Sequence, residues 1–345
     1  METYQNDHSN TTMWQKSKSN KKFHFFIRIF MCLSLLSVNS TRVKHSSSYN
    51  LCFIDNVVFS NCKISHNDNG GAICFDNVPI NLDISYTTFF SCQTTYSNSN
   101  GGAIYYYSSE RGMTISNSCF SHCLSQYRGP CIHSNAEDGT SFINVAVCKC
   151  PDSFQLNTQY PIHIYRGYIE FDGLNSSYNY PKVYSSGLLI CQATGYKVCF
   201  STIANCKSGD SCIIDLQGCS GSQNGYNINV INNSIVLPTF GILYYASTQP
   251  ILADCVFALN SNPLFRGDGV LTINNCVFDK YTFTYKSPVL INCSLSCSNP
   301  STNHLTHINT LFCNRISFIT HARRNSIVFV LYSISVLCFQ FDWWF

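Results

Sequence analysis

Seven segments of this chain follow one template. IDNVVF from Ile54, ISYTTF from Ile84, ISNSCF from Ile115, INVAVC from Ile143, INNSIV from Ile231, LADCVF from Leu252 and INNCVF from Ile273 all open on Ile or Leu. Five carry Asn or Asp in third place (Asn56, Asn117, Asn233, Asp254, Asn275) and five carry Phe in sixth (Phe59, Phe89, Phe120, Phe257, Phe278). The first four openings are 30, 31 and 28 residues apart, the last three 21 and 21. The first three continue as FxxC, ending at Cys62, Cys92 and Cys123. A second marker sits between the early copies: GGAI at 70–73, GGAI at 101–104 and GPCI at 129–132. Its second residue precedes the next opening Ile by 13 residues every time, as from Gly71 to Ile84, Gly102 to Ile115 and Pro130 to Ile143. Length therefore varies at one corner only, and that corner is polar (Asn67, Asp68, Asn69; Ser97, Asn98, Ser99, Asn100), as a surface loop requires.

A unit of 21 to 31 residues with two or three short Ile-, Val-, Phe- and Tyr-rich runs cannot bury its own apolar side chains. Stacking solves this: each run joins a parallel sheet, successive coils rise by about 4.8 Å, and like residues form ladders. The opening Ile and the Phe are five apart, so one straight strand would aim them at opposite faces. A bend between them turns both inward, and Asn or Asp in third place suits it because these residues tolerate the left-handed backbone region. The paired glycines permit another sharp corner or a close backbone approach. Each interior Ile or Phe is expected to contribute roughly 1.5 to 3 kcal/mol of burial. The composition agrees with an all-β fold. Charged residues are 11% and hydrophobic ones 45%, and polarity comes from 35 Asn with many Ser, Thr and Tyr, which favour turns and strands over helices.

The net charge of +3 is an end effect: residues 1 to 48 hold seven Lys/Arg and two acids, 315 to 345 hold three and one, and the body holds 11 against 15. A basic nucleic-acid footprint is absent, so no nucleic-acid partner is expected. Lys16, Lys18, Lys21, Lys22 and Arg28 lead into an apolar run from Ile29 to Val38, the layout of a signal peptide or signal anchor over 1–40, with Met13 or Met31 as possible starts. At the other end 16 uncharged residues from Ser326 to Phe341 precede Asp342, Trp343, Trp344 and Phe345. As a helix they would reach about 24 Å, short of the ~30 Å hydrocarbon core. Segment 326–345 is thus read as a membrane anchor, a lipid-anchor signal or a truncated end. The 21 cysteines lack CxxC pairs and finger-type histidines, which argues against zinc and for export with some disulfides. Sequons at Asn175, Asn232 and Asn292 agree.

GGAI together with the recurring F-x-x-polar tetrapeptide resembles the polymorphic outer-membrane-protein repeat of bacterial autotransporters and of surface-protein families in parasitic protists. The match is good over 54–148, rests on strand pattern over 231–278 and is obscure over 150–230 apart from PIHI at Pro161 and SCII at Ser211. The resemblance implies a right-handed parallel β-helix, here placed at 50–310, and a non-enzymatic, adhesin-like rod on a cell surface or secreted. Membrane contact would run through the terminal apolar segments, and a protein or glycan ligand would bind the variable loops. Two departures stand out: the family favours Asn where this chain has Cys62, Cys92 and Cys123, and about 45 residues after 300 cannot hold a β-barrel translocator. FxxC is also similar to a 23-residue surface leucine-rich repeat, whose Leu/Ile ladder with Pro is missing here.

The alternative is a secreted polysaccharide-active, pectate-lyase-like enzyme, which needs paired carboxylates or an acid cluster for calcium. The body's 15 acids form no Asp-Asp pair; Asp76 with Asp83 and Asp210 with Asp215 read as isolated pairs facing solvent. His122, His133 and His163 fall in separate repeat contexts, as surface or ladder residues. In the Tyr105, Tyr106, Tyr107 run alternate rings must face outward, where they could stack on a sugar. Cys62, Cys92 and Cys123 should stack one coil apart, as buried small hydrophobes or as disulfide partners, with no pairing assigned. No catalytic residue, metal ligand or cofactor is assigned, and the chain is expected not to be an enzyme.

Overall fold

The computed structural model describes residues 25–27, 43–45, 51–153, 158–237, 240–261, 263–280 and 283–296, together with 305, 308 and 313. The expected signal at 1–40, apart from Phe25–Ile27, and the apolar segment 326–345 lie outside the described residues. No helix among the described residues is long and apolar enough to cross a membrane.

The fold is a parallel β-solenoid, as the repeat demands. Each coil gives one strand to a 10-stranded sheet and one or two to a 17-stranded sheet. The 10-stranded sheet runs Val43–His45, Ile73–Asp76, Ile104–Ser108, Ile132–Ala136, Ile162–Tyr165, Leu188–Cys191, Ile214–Gln217, Leu243–Ala246, Phe265–Gly267 and Phe283–Tyr285. The stack begins before residue 50, because Phe25–Ile27 pairs with Cys52–Ile54 and Val43–His45 with Ile73–Phe75. It continues unbroken through 158–231, where the sequence pattern is faint: His163 pairs with Leu189, Leu189 with Asp215 and Asp215 with Tyr244.

The template residues form the expected ladders. Ile54, Ile84 and Ile115 are vertical neighbours, followed by Phe142, Phe171, Val198, Gly225, Leu252, Ile273 and Leu290. A second ladder runs Phe59, Phe89, Phe120, Val147, Ser176, Ile203, Val230, Phe257, Phe278 and Leu295. Phe89 is fully buried and stacked between Phe59 and Phe120, with ring centroids 5.1 and 4.6 Å away. The bend between the ladders is made at Asn56, Tyr86, Asn117, Asn144, Gly173, Phe200, Asn227, Asp254, Asn275 and Asn292, all with φ between +45° and +77°. A single left-handed residue reverses the side-chain alternation, so two positions five apart both point inward.

Two copies of the template are out of register in the sequence reading. Phe142, not Ile143, continues the opening ladder; Ile143 pairs with Ser116 and is 44% exposed. Gly225, not an Ile at 231, opens the later coil, and Ile231 pairs with Ala204 and Ala258 beyond the second ladder. The cause is a second left-handed corner five residues after the first, at Asn61, Ser91, His122, Lys149, Tyr178, Asn205, Asn232 and Leu259. Both corners accept Asn, so an Ile-Asn pattern matches the template at either one, and a one-residue slip exchanges inside for outside.

The glycines serve as expected. Gly70, Gly101 and Gly129 adopt φ of +69°, +66° and +62°. A Cβ on Gly71 or Gly102 would come within 2.2 Å of the carbonyl oxygen of Gly102 or Pro130 in the next coil. The polar corner loops are shorter than the spacing suggests, because Lys63–Ile64 pairs with Gln93–Thr94 as a third small face.

Candidate functional site

The FxxC position is a buried column continuing upward as Cys62, Cys92, Cys123, Cys150, Asn179, Cys206, Asn233 and Asn260, three residues after each member of the second ladder. Each side chain bridges coils. Asn233 Nδ2 donates to the Ile203 carbonyl at 2.9 Å and Asn260 Nδ2 to the Val230 carbonyl at 2.7 Å. The thiols of Cys92, Cys123 and Cys206 aim at the equivalent carbonyls of Phe59, Phe89 and Ser176 at 3.5, 3.6 and 3.6 Å. In the other direction the backbone N–H of Cys206 donates to Asn233 Oδ1 at 2.9 Å, that of Cys150 to Asn179 Oδ1 at 2.8 Å, and that of Cys123 to the Cys150 sulfur at 3.2 Å. Burial pushes the Cys206 thiol up to about 12, which keeps it an S–H donor. Cysteine thus fills the asparagine role in this column, and the departure from the Asn-terminated repeat is chemical rather than architectural.

Sixteen described cysteines are free and most are buried; one disulfide, Cys119–Cys313, is formed with Cα atoms 5.6 Å apart. It pins a C-terminal segment to the outer face of the 17-stranded sheet. Asn144 Oδ1 accepts the Ile308 N–H at 3.0 Å and Asn175 Nδ2 donates to the Ile308 carbonyl at 3.1 Å. Asn175 is therefore buried and engaged, whereas Asn232 and Asn292 sit at exposed corners.

On the outer face of the 10-stranded sheet the register joins Cys74, Tyr105, His133, His163, Leu189, Asp215, Tyr244 and Arg266 in one column. His133 and His163, distant in the repeat pattern, are stacked neighbours with Nδ1 atoms 2.9 Å apart. Desolvation and the nearby Arg128 guanidinium hold both imidazoles below their ordinary value, so one neutral ring donates to the other. Tyr106 points inward and Tyr105 and Tyr107 outward, as alternation requires, but the Tyr105 ring is covered by His133 at 5.3 Å. His122 stands apart at a corner, bonded to Ser121 Oγ at 2.7 Å.

The acid pairs are corrected. Asp76 and Asp83 belong to different sheets. Asp215 does not face solvent: it is 2% exposed, held by the Gln217 amide at 2.8 Å, and burial raises its carboxyl to about 7. Asp210 is engaged with the Tyr184 backbone N–H at 2.8 Å. No group of three metal-ligating side chains occurs among the described residues.

The most exposed mixed aromatic and polar surface lies elsewhere, and the sequence reading missed it. Tyr168, Glu170 and Asp172 occupy alternate positions of one strand, Tyr168–Asp172, in the 17-stranded sheet. One coil on, Glu170 faces Lys197 and Asp172 faces Cys199; the next coil adds Asn224 and Tyr226. Lys197 Nζ lies 2.9 Å from Glu170 Oε1 and 5.8 Å from the Tyr226 ring centroid. Phe200, at the bend, meets Tyr226 edge-on at 5.6 Å. The available signal was the Y-x-E-x-D alternation of 168–172, legible only once that stretch is known to be a strand.

Comparison of the chain with protein-family models, with curated proteins and with solved structures finds no match. The fold and the geometry of its outer faces are therefore the whole basis for a functional reading.

Proposed function

We propose that the chain is a surface-displayed or secreted, adhesin-like interaction rod of the polymorphic outer-membrane-protein repeat type, non-enzymatic, with a protein or glycan ligand. One observation carries this reading: the interior ladders run without a break, while variation in length and exposed side chains collects at the corners and outer faces. From Ile73 to Ile104 a coil takes 31 residues and from Ile104 to Ile132 it takes 28, yet these residues remain paired. The lengthened part is the polar corner around Asn98, which is exposed. A scaffold that absorbs insertions at one edge and keeps its core register suits the presentation of recognition loops. The polysaccharide-active alternative asks for three or more acids clustered on one sheet face, and Glu170 with Asp172 supplies two.

Membrane attachment through a terminal apolar segment and display outside the cell belong to the same proposal. An epitope tag inserted at Asn98 and protease shaving of intact cells test it. Loss of the tag while cytosolic markers survive supports display; a tag that is protected until the cells are lysed removes the adhesin reading.

A further inference from the structure

We propose that the outer surface formed by 168–172, 195–200 and 224–226 is a binding site for a neutral oligosaccharide. This rests on reading the chain as a ligand-presenting rod and names the class of ligand.

Aromatic rings are exposed here at a cost. Tyr168 is 44% and Phe200 43% exposed. Phe200 also occupies the left-handed bend, with φ +47°, where neighbouring coils place Gly173, Asn227 and Asp254. A bulky side chain in that backbone region is disfavoured, and persistence of local strain beside an exposed ring points to use of the ring. Tyr168 has room to lie down because the next coil holds Gly195: a Cβ there would stand 3.3 Å from the tyrosine Cδ2. Tyr168 and the Asp172–Tyr226 column are four residues apart along the strand, about 13 Å, and Tyr226 is two coils farther up, about 10 Å. Between them lie the Glu170 carboxylate, the Lys197 ammonium and the exposed Asn224 amide.

The chemistry fits sugar hydroxyls. Rings take up the apolar C–H faces of pyranoses, while a carboxylate, an ammonium and an amide side by side satisfy groups that donate and accept together. Two carboxylates against one ammonium leave the patch negative, so acidic glycans are repelled and neutral ones preferred. The coil rise of about 4.8 Å repeats at close to the length of one pyranose unit, so a glycan along the rod axis meets successive coils in step.

The test titrates the purified full-length chain with cellohexaose, mannohexaose, N-acetylchitohexaose and an oligogalacturonate. The proposal expects binding of at least one neutral hexaose, weakened tenfold or more by Tyr168→Ala and by Phe200→Asn, and unchanged by Tyr86→Ala, an exposed ring outside the patch. Phe200→Asn restores the residue type that suits the bend, so a stable, well-folded variant that has lost binding separates recognition from folding. Absence of binding to all three neutral hexaoses, equal affinity in the Tyr168 and Phe200 variants, preference for the galacturonate, or release of new reducing ends would each overturn it. Failure here with the Asn98 tag still shaved from cells leaves the rod reading standing. Binding retained by a chain that is not displayed removes that reading and keeps the site.

Discussion

If thiol and amide are interchangeable in the FxxC column, Asn233 is the place to measure it. Its side chain accepts the Cys206 N–H at 2.9 Å and donates to the Ile203 carbonyl at 2.9 Å and to Asn260 Oδ1 at 3.1 Å, all buried. Asn233→Cys keeps one weak donor and one weak acceptor and should cost about 1 to 2 kcal/mol, the scale of one or two weakened hydrogen bonds. Asn233→Asp keeps the shape but sets a second oxygen against the Ile203 carbonyl and Asn260 Oδ1. A carboxylate there has lost its solvation and faces only acceptors, so its folded-state pKa rises by on the order of three units. At about 1.4 kcal/mol per unit the penalty at pH 7 is about 4 kcal/mol. The raised pKa fixes the sign: near pH 4 the protonated O–H can donate in place of the amide, and stability is lost as pH rises from there toward the folded-state pKa. Urea denaturation of wild type and both variants at pH 4, 5.5 and 7 reads these differences. A penalty for Asn233→Asp that does not grow with pH, or one no larger than that of Asn233→Cys, refutes the reasoning.

Asp215 titrates in the same sense: its carboxyl is raised to about 7 by burial, so Asp215→Asn should stabilise the rod progressively from about pH 4 to 7 and level off above, by about 4 kcal/mol at most, as pH-dependent denaturation would reveal. Ile84→Asp and Phe120→Asp, each placing a charge on a fully buried ladder position, should abolish folding, whereas insertions at 65–68 or 95–98 should be tolerated; equal yields of folded protein from both classes would contradict the layout. The Cys119–Cys313 bridge closes a loop of 194 residues, so Cys313→Ser should lower stability by up to about 5 kcal/mol on chain-entropy grounds, and peptide mapping should recover Cys119 and Cys313 as one linked pair.

The stack was legible because a solenoid writes its tertiary contacts into the sequence as a period. Ile54, Ile84 and Ile115 recur at a near-constant interval for the same reason that they touch. The third-place Asn announced a bend, since few other residues sit easily at positive φ. Register across 142–147 and 225–231 was not legible, because two left-handed corners per coil both accept Asn and only the packed core selects between them. The equivalence of Cys and Asn in the FxxC column was hidden for a related reason: it follows from which carbonyl of the coil below each side chain reaches.

The sequence by itself determined the class of fold, the coil interior and the edge at which length varies, since these follow from periodicity and the limits of backbone geometry. Only the tertiary structure decided what meets on the outside. His133 and His163 lie 30 residues apart and Glu170 and Lys197 27 apart, yet each pair is within 3 Å, because every coil carries the chain past its earlier course. Outward positions are free of the packing constraint that makes inward ones periodic, so their neighbours are fixed by coil length alone and become visible when the coils are counted in space.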